Sequence, residues 1–150
     1  MDNVEDPQNL GQIIRTAECA GIDGILIPEH GNVQATNTVL QVSQGAFIHL
    51  PLYHCGNLHQ QLRNLKSQGF WVVGVENSIQ AIYWHDFDYQ RKLVIVMGSE
   101  GRGIRPLIRK TCDDLITIPM QGELNSLNVS AAVSAVLFER HRQMLQGSTN

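Results

Sequence analysis

The sequence predicts an α/β domain in which a mostly parallel sheet is flanked by helices. Two observations indicate this class: the spacing of apolar residues switches repeatedly between a period of two and a period of about 3.6, and short strand-like runs alternate with longer helical segments. The length fits one domain, because 150 residues can bury a core without disulfides or metals. We therefore treat residues 1–150 as a single domain.

The first half of the chain predicts three helices and two strands. Asp6 can cap a helix whose first turn contains Pro7, because an aspartate accepts hydrogen bonds from the free N–H groups of a helix start. The spacing of apolar residues then predicts a buried strand over residues 24–28 and a helix over 32–46. It also predicts an amphipathic helix over 57–69 that ends in glycine, and a strand over 70–75.

The second half continues the alternation. It predicts an apolar strand over residues 92–98, a short helix over 105–112, a strand over 114–119 and a last helix over 127–145. Residues 78–90 fit neither period and receive no assignment. Because strands and helices keep alternating, the strands are expected to lie parallel.

Composition is typical of a globular protein. Apolar residues make up 43 % and charged residues 17 % of the chain. The longest apolar runs are too short for a bilayer, and the first residues do not resemble a leader, so we expect a cytoplasmic protein without a membrane partner. The cysteines form no CxxC pair and the histidines recur every five residues, so we interpret the cysteines as buried thiols and assign no metal. The residues concerned are Cys19, Cys55, Cys112, His49, His54 and His59.

Three stretches with polar residues and glycines stand out, because ligands of parallel α/β sheets bind beyond the carboxyl ends of the strands. In the first, "DPQNLGQIIRTAECAG", Arg15 lies over the turn that contains Gly11, where the missing side chain is expected to leave open space. Arg15 can then reach a ligand, or it can form an ordinary surface salt bridge.

The second stretch, "LVIVMGSEGRGI", places three glycines after an apolar strand. Its spacing differs from the dinucleotide motif, and Ile104 stands where a phosphate-binding loop needs lysine. A flexible loop remains, with one acid, Glu100, and one base, Arg102. It can approach a flat ligand closely, or it can be a plain turn.

The third stretch, "ITIPMQGELNSLNVSAAVSAVLFE", places amides and a hydroxyl before an apolar helix. Asn125 or Ser126 can cap that helix, with Asn128 in its first turn, or the group can bind an anion. The helix is apolar nearly all round as far as Phe138, so we expect it to pack against a second subunit in a twofold dimer.

Together, the three stretches resemble the motifs of the SpoU (TrmH) family of RNA ribose 2′-O-methyltransferases in the SPOUT class. The chain looks most like the catalytic domain of bacterial enzymes that modify a guanosine of 23S ribosomal RNA. The resemblance implies an S-adenosylmethionine-dependent homodimer with a deep C-terminal trefoil knot, which general rules of chain topology would not predict.

Carried over to this sequence, the resemblance implies cofactor contacts at Gly98, Ile118 and Leu127. It implies functional polar residues at Asn9, Arg15, Glu100, Ser126 and Asn128. Arginine is a poor base because its very high pKa keeps the guanidinium protonated near neutral pH. We therefore expect Arg15 to hold a phosphate and the developing alkoxide while Glu100 orients it, and Ser126 and Asn128 to hold the ribose or the cofactor carboxylate.

Two features concern RNA binding. Family members usually have an apolar strand before the first motif and often a preceding RNA-binding domain, and we expect most of that strand and the domain to be absent from this chain. The chain carries 11 basic and 14 acidic residues, so RNA contacts need local patches. One candidate patch comprises Arg102, Arg105, Arg109 and Lys110.

Three alternatives stay open at this stage. One is a methyltransferase that acts on transfer RNA instead of ribosomal RNA. Another is a catalytically silent RNA-binding or assembly module with the same fold. The last is a nucleotide-binding protein of the Rossmann type, which the glycine spacing disfavours.

Overall fold

The computed structural model describes residues 1–34, 36–99 and 101–147. Helices and strands alternate along this part of the chain. The helices are α1 (Pro7–Cys19), α2 (Asn37–Val42), α3 (Leu58–Ser67), α4 (Pro106–Thr111) and α5 (Val129–Gly147), with a 3₁₀ turn at Ala46–Ile48. The strands are β1 (Ile25–Pro28), β2 (Leu52–Cys55), β3 (Trp71–Val75), β4 (Ile82–Tyr83), β5 (Leu93–Met97) and β6 (Asp114–Thr117).

The strands form two groups in which every described pairing of named strands is parallel. Four strands lie in the order β4-β6-β3-β5, and β1 pairs with β2. The prediction of a mostly parallel α/β fold is therefore confirmed. This arrangement brings the carboxyl ends of β3, β5 and β6 to one edge, where the loops predicted to carry the site begin. The C-terminal knot stays a prediction.

The N-terminal residues lie between β1 and β5. The Met1 ammonium donates a hydrogen bond to Leu26 O at 2.9 Å, and Asp2 N donates to Met97 O at 2.8 Å. Behind them is an apolar groove of about 450 Å³, to which all five residues of β5 contribute. Met1 and Asp2 therefore connect β1 and β5 through backbone hydrogen bonds.

Helix α1 anchors one side of the core. Its apolar face, with Leu10, Ile13 and Ile14 fully buried, packs in one cluster with Val129 and Val133 of α5. As predicted, Asp6 caps α1, since its side chain accepts a hydrogen bond from Gln8 N at 2.9 Å. The packing of α1 on α5 brings the first and third polar stretches together.

Three element predictions need correction. The helix predicted over residues 32–46 is limited to α2, which Thr36 caps, and it ends before Gln44 and Gly45, both of which have positive φ. Strand β2 was not predicted, because Tyr53 and His54 are exposed and its apolar pattern is weak. The last helix begins at Val129, two residues after the predicted start.

No helix in the described ranges combines the length and the apolar character needed to cross a membrane.

Candidate functional site

A cavity of about 320 Å³, here called the strand-end cavity, opens at the carboxyl ends of β3, β5 and β6. All three residues predicted to contact a cofactor line it: Gly98 after β5, Ile118 after β6, and Leu127 before α5. Ser126 lines the same cavity. The structure thus brings together residues from two of the three predicted stretches.

The loop after β5 forms one wall of this cavity from backbone. Ser99 and Gly103 exchange backbone hydrogen bonds at 3.2 and 3.0 Å, and Gly101 and Gly103 have positive φ. A β-carbon added at Gly98 would collide with the backbone of Gly103. Glycine is therefore required at position 98 for this close approach, which leaves backbone groups at the cavity surface.

Asn9 and Asn128 connect the first and third stretches directly. Asn128 Nδ2 donates to the Oδ1 atom of buried Asn9 at 2.9 Å, although the two residues are 119 positions apart. Asn128 Oδ1 accepts from Ser130 N at 2.9 Å, and Ser130 Oγ donates to Gln12 Oε1 at 2.6 Å. These bonds form a polar network between α1 and α5.

Asn128, rather than Asn125 or Ser126, provides the side-chain cap of α5. Its Oδ1 atom accepts from an N–H group of the first turn, and this is the capping geometry that the sequence assigned two or three positions earlier. The same side chain also binds Asn9. Asn128 therefore has a structural role, as the cap of α5, and also belongs to the candidate site.

Arg15 lies in a polar cleft of about 620 Å³ beside this network, here called the arginine cleft. Asn128 and Ser130 line the same cleft. The Arg15 side chain is exposed, and it forms no salt bridge with any residue in the described ranges. Arg15 is thus available to a ligand that enters the cleft.

The expectation of open space above Gly11 is wrong. A β-carbon at Gly11 would lie 2.6 Å from Val42 Cβ and 3.2 Å from Val39 O. Gly11 therefore allows α2 to pack closely against α1 and leaves no room for a ligand. Arg15 reaches the solvent from the arginine cleft instead.

A smaller cavity of about 260 Å³ lies between the two sites. Asn9, Ser99, Arg102 and Val129 line it. Ser99, Arg102 and Val129 also line the strand-end cavity, and Asn9 is bonded to Asn128 of the arginine cleft. Of the predicted polar residues, Ser126 and Arg15 do not share a cavity, and Glu100 lies outside the described residues.

Two of the four residues in the candidate basic patch have internal partners. Arg105 binds fully buried Asp2, with Nε donating to Oδ1 at 2.7 Å, and Arg109 Nε lies 3.2 Å from Glu76 Oε2. Arg102 and Lys110 remain exposed. The patch therefore offers fewer charges to a polyanion than the sequence indicated.

The thiols do not behave alike. Cys19 is exposed, which corrects the expectation of three buried thiols, and Cys55 and Cys112 are partly buried. Burial raises the pKa of the Cys112 thiol to about 12, with the neighbouring Asp113 carboxylate adding to the effect. Cys112 is therefore a protonated, unreactive thiol at neutral pH.

The sequence did not single out Gln12, Ser130 and Glu76. The first two complete the polar network, and Glu76 lines the strand-end cavity at the end of β3. A signal for Ser130 was present, since it follows Asn128 by two positions at a helix start. Glu76 has no motif around it, and only the fold places it at the cavity.

The chain matches the family model described as the SpoU rRNA Methylase family over residues 1–138. A relative from Staphylococcus saprophyticus, whose name places it in the TrmH family of tRNA/rRNA methyltransferases, is 43 % identical over 143 residues. That match covers 95 % of this chain and 57 % of the relative. The chain thus spans less than two thirds of the length of this relative.

Two solved structures are similar to the whole chain. The SpoU methyltransferase AviRb from Streptomyces viridochromogenes, solved in complex with AdoMet, has a TM-score of 0.89 and 26 % identity, covering 97 % of this chain and 59 % of AviRb. The TrmH/SpoU tRNA modifying enzyme of A. aeolicus has a TM-score of 0.91 and 30 % identity, covering 98 % and 74 %.

Proposed function

Because the chain belongs to the SpoU rRNA methylase family, we propose that it transfers a methyl group from S-adenosylmethionine to a ribose 2′-hydroxyl of RNA. The observation that supports this most is the Asn9–Asn128 hydrogen bond, which sets the arginine cleft beside the strand-end cavity. The strand-end cavity then binds the cofactor, and the arginine cleft binds the RNA. The resemblance in the three sequence stretches agrees with this division.

The residues of the strand-end cavity fit the proposed cofactor. Its volume of about 320 Å³ suits a small molecule, and Met97, Ile118 and Leu127 give it an apolar lining for a purine ring. Two buried side-chain oxygen atoms at its wall, Glu76 Oε2 and Ser99 Oγ, have no hydrogen-bond partner in the structure. Both residues line this cavity and therefore add polar groups to its apolar wall.

When bound, S-adenosylmethionine supplies a methyl group on a positively charged sulfur. The protein must then align the ribose hydroxyl, and positioning of this kind can contribute about 7–11 kcal/mol. Arg15 holds the phosphate next to the reacting ribose and the negative charge that develops on its oxygen. The proton passes to that phosphate or to water, because a guanidinium does not lose its own proton near neutral pH.

The other polar residues position the substrates. Asn128 is held by Asn9 and by the start of α5, so its side chain is fixed at the boundary of the arginine cleft. Asn128 contacts the ribose, and Ser126, at the strand-end cavity, contacts the cofactor. Glu100 orients Arg15 in this proposal, and its placement lies outside the described residues.

The substrate is most simply a guanosine of 23S ribosomal RNA. The similarity of the three stretches to bacterial enzymes of that specificity supports this choice, whereas the A. aeolicus structure is named as a tRNA modifying enzyme. Transfer RNA is therefore the alternative substrate. An RNA substrate of either kind places the activity in the cytoplasm.

We propose a homodimer through α5. One face of this helix is buried in the core through Val129, Val133 and Val136, while Phe138 and Leu145 on another face are 47 % and 59 % exposed. These two residues are seven positions apart and so lie on one side of the helix. Burial of this side against a second copy removes apolar surface from water.

The groove between β1 and β5 fits an apolar strand that leads into Met1. The hydrogen bonds of Met1 and Asp2 set the direction, because a strand preceding them would run beside both β1 and β5. We propose that such a strand completes the catalytic domain, and that RNA affinity depends on a further RNA-binding domain.

Substitution of Arg15 tests the proposed function. Methyl transfer to ribosomal RNA from cells that lack this protein is measured with labelled S-adenosylmethionine, together with cofactor affinity by calorimetry. We expect Arg15→Ala to lower kcat by about 10²–10³-fold, the usual loss for one charge-stabilising donor, and to leave cofactor affinity within threefold.

Arg15→Lys separates two roles of the arginine. In our proposal lysine cannot replace the paired contacts of a guanidinium, so activity stays low at all pH values. Substantial activity that rises with pH would instead identify position 15 as the base. Failure of the unmodified protein to bind S-adenosylmethionine would refute the whole proposal and favour an RNA-binding module without catalysis.

A further inference from the structure

Two residues that line the strand-end cavity carry the side-chain oxygens in the described ranges that are buried without a hydrogen-bond partner. They are Glu76 Oε2 and Ser99 Oγ. Buried polar atoms of folded proteins are nearly always satisfied, and leaving one unsatisfied destabilises the fold. The other carboxylate oxygen of Glu76, Oε1, faces Gly103 of the cavity wall, since a β-carbon built at Gly103 would lie 3.7 Å from it, so the Glu76 carboxylate can accept hydrogen bonds from a ligand of that cavity.

Glu76 is fixed at the boundary between this cavity and a neighbouring cleft. It follows the last residue of β3, and its backbone N donates to Ile116 O at 3.0 Å. Its side chain is 19 % exposed and lines both spaces. On the cleft side, Arg109 Nε lies 3.2 Å from Oε2 as an ion pair without hydrogen-bond geometry.

A carboxylate accepts hydrogen bonds and donates none when it is ionised. S-adenosylmethionine offers three kinds of donor: the ribose hydroxyls, the α-ammonium and the adenine amino group. Arg109 already places one positive charge beside Glu76, so a neutral pair of donors completes the site better than a second cation. An acid at the end of a parallel strand also holds the ribose hydroxyl in dinucleotide-binding folds.

We propose that Glu76 binds the ribose hydroxyls of the cofactor and that Arg109 is a positioning residue which holds the Glu76 carboxylate. This inference rests on the proposed function, because it requires the cofactor to occupy the strand-end cavity. It adds a polar specificity residue to a cavity whose predicted contacts at Gly98, Ile118 and Leu127 are made by backbone and apolar groups.

Calorimetry with two nucleosides tests the assignment. The dissociation constants of S-adenosylmethionine, adenosine and 2′,3′-dideoxyadenosine are measured for the unmodified protein, for Glu76→Gln and for Glu123→Gln. Glu123 is an exposed carboxylate in the loop before α5 and serves as the matched control. We expect Glu76→Gln to lower the affinity for S-adenosylmethionine and for adenosine by about ten- to a hundredfold, because a hydrogen bond to a charged group is lost.

The same variant should bind 2′,3′-dideoxyadenosine as the unmodified protein does, because that nucleoside lacks the hydroxyls. Equal weakening of both nucleosides would overturn the proposal, since Glu76 would then only shape the cavity. Weakening of S-adenosylmethionine alone would also overturn it and would assign Glu76 to the ammonium group. Glu123→Gln should change none of the three constants.

Arg109→Gln provides a second variant if Glu76→Gln does not fold. Loss of a positioning residue that acts through Glu76 should weaken the binding of adenosine by a smaller factor, about threefold. It should leave the affinity for the dideoxynucleoside unchanged. Equal weakening of both nucleosides would contradict a role through Glu76. If the unmodified protein bound none of these compounds, the proposed function itself would fail, and this outcome differs from every result above.

Discussion

The strand-end cavity and the groove between β1 and β5 differ in what their walls lack. The groove is larger, at about 450 Å³ against 320 Å³, and its lining is mostly aliphatic. No described strand pairs with the facing edges of β1 and β5, where Leu26 O accepts a hydrogen bond from Met1 and Met97 O accepts one from Asp2. The strand-end cavity is lined by Glu76 and Ser99, each of which carries a buried side-chain oxygen without a hydrogen-bond partner.

If the strand-end cavity binds the cofactor, as we propose, then size and apolar character do not identify the ligand site in this protein. Backbone edges of two strands specify another strand, because only an extended chain can satisfy a row of alternating N–H and C=O groups. In our proposal, the polar groups at the ends of the strands instead bind a compact polar ligand. Substitutions in the wall of the strand-end cavity should therefore change cofactor affinity and leave the groove unchanged.

Gly98→Ala should have the largest effect, and only on the strand-end cavity. The added β-carbon would collide with the Gly103 backbone, so the loop after β5 must move and the wall of the cavity changes. Backbone in a packed loop cannot relax as a side chain does, so we expect S-adenosylmethionine affinity to fall more than a hundredfold, or about 3 kcal/mol. Calorimetry measures this directly.

Gly122→Ala is the matched control. It makes the same chemical change in the loop before α5, where an added β-carbon meets no atom within 4 Å. Its cofactor affinity should stay within twofold of the unmodified protein. Retention of tight binding by Gly98→Ala would show that the close approach of the loop is not needed for the cavity.

The sequence was sufficient where one local pattern decides the structure. Continuous apolar runs identified β1, β3, β5 and β6, because strands covered on both faces need no alternation. The cap at Asp6 followed from local chemistry alone. The predicted residues Gly98, Ile118 and Leu127 share a cavity because each lies at the end of a strand or the start of α5.

Long-range contacts explain the features that the sequence did not predict. The packing of Gly11 depends on Val42 of α2, and the ion pair between Asp2 and Arg105 joins residues 103 positions apart. Glu76 looks like any surface acid until β3 places it at the cavity. The spacing of apolar residues within one segment does not contain this information, because each contact depends on how distant elements pack.

Leu127→Ala should have the smallest effect and should again separate the two cavities. Leu127 lines the strand-end cavity and is 42 % exposed, so truncation removes part of the apolar wall at a cost of about 1 kcal/mol, or a fivefold loss of S-adenosylmethionine affinity. Leu124→Ala makes the same change in the same loop at a residue that is 82 % exposed and does not line the cavity. It should leave the affinity unchanged, and neither variant should shift the free energy of unfolding by more than about 0.5 kcal/mol, because neither side chain belongs to the core or the groove. Equal losses of affinity in the two variants would mean that the loop acts as a whole and that Leu127 has no contact of its own with the cofactor.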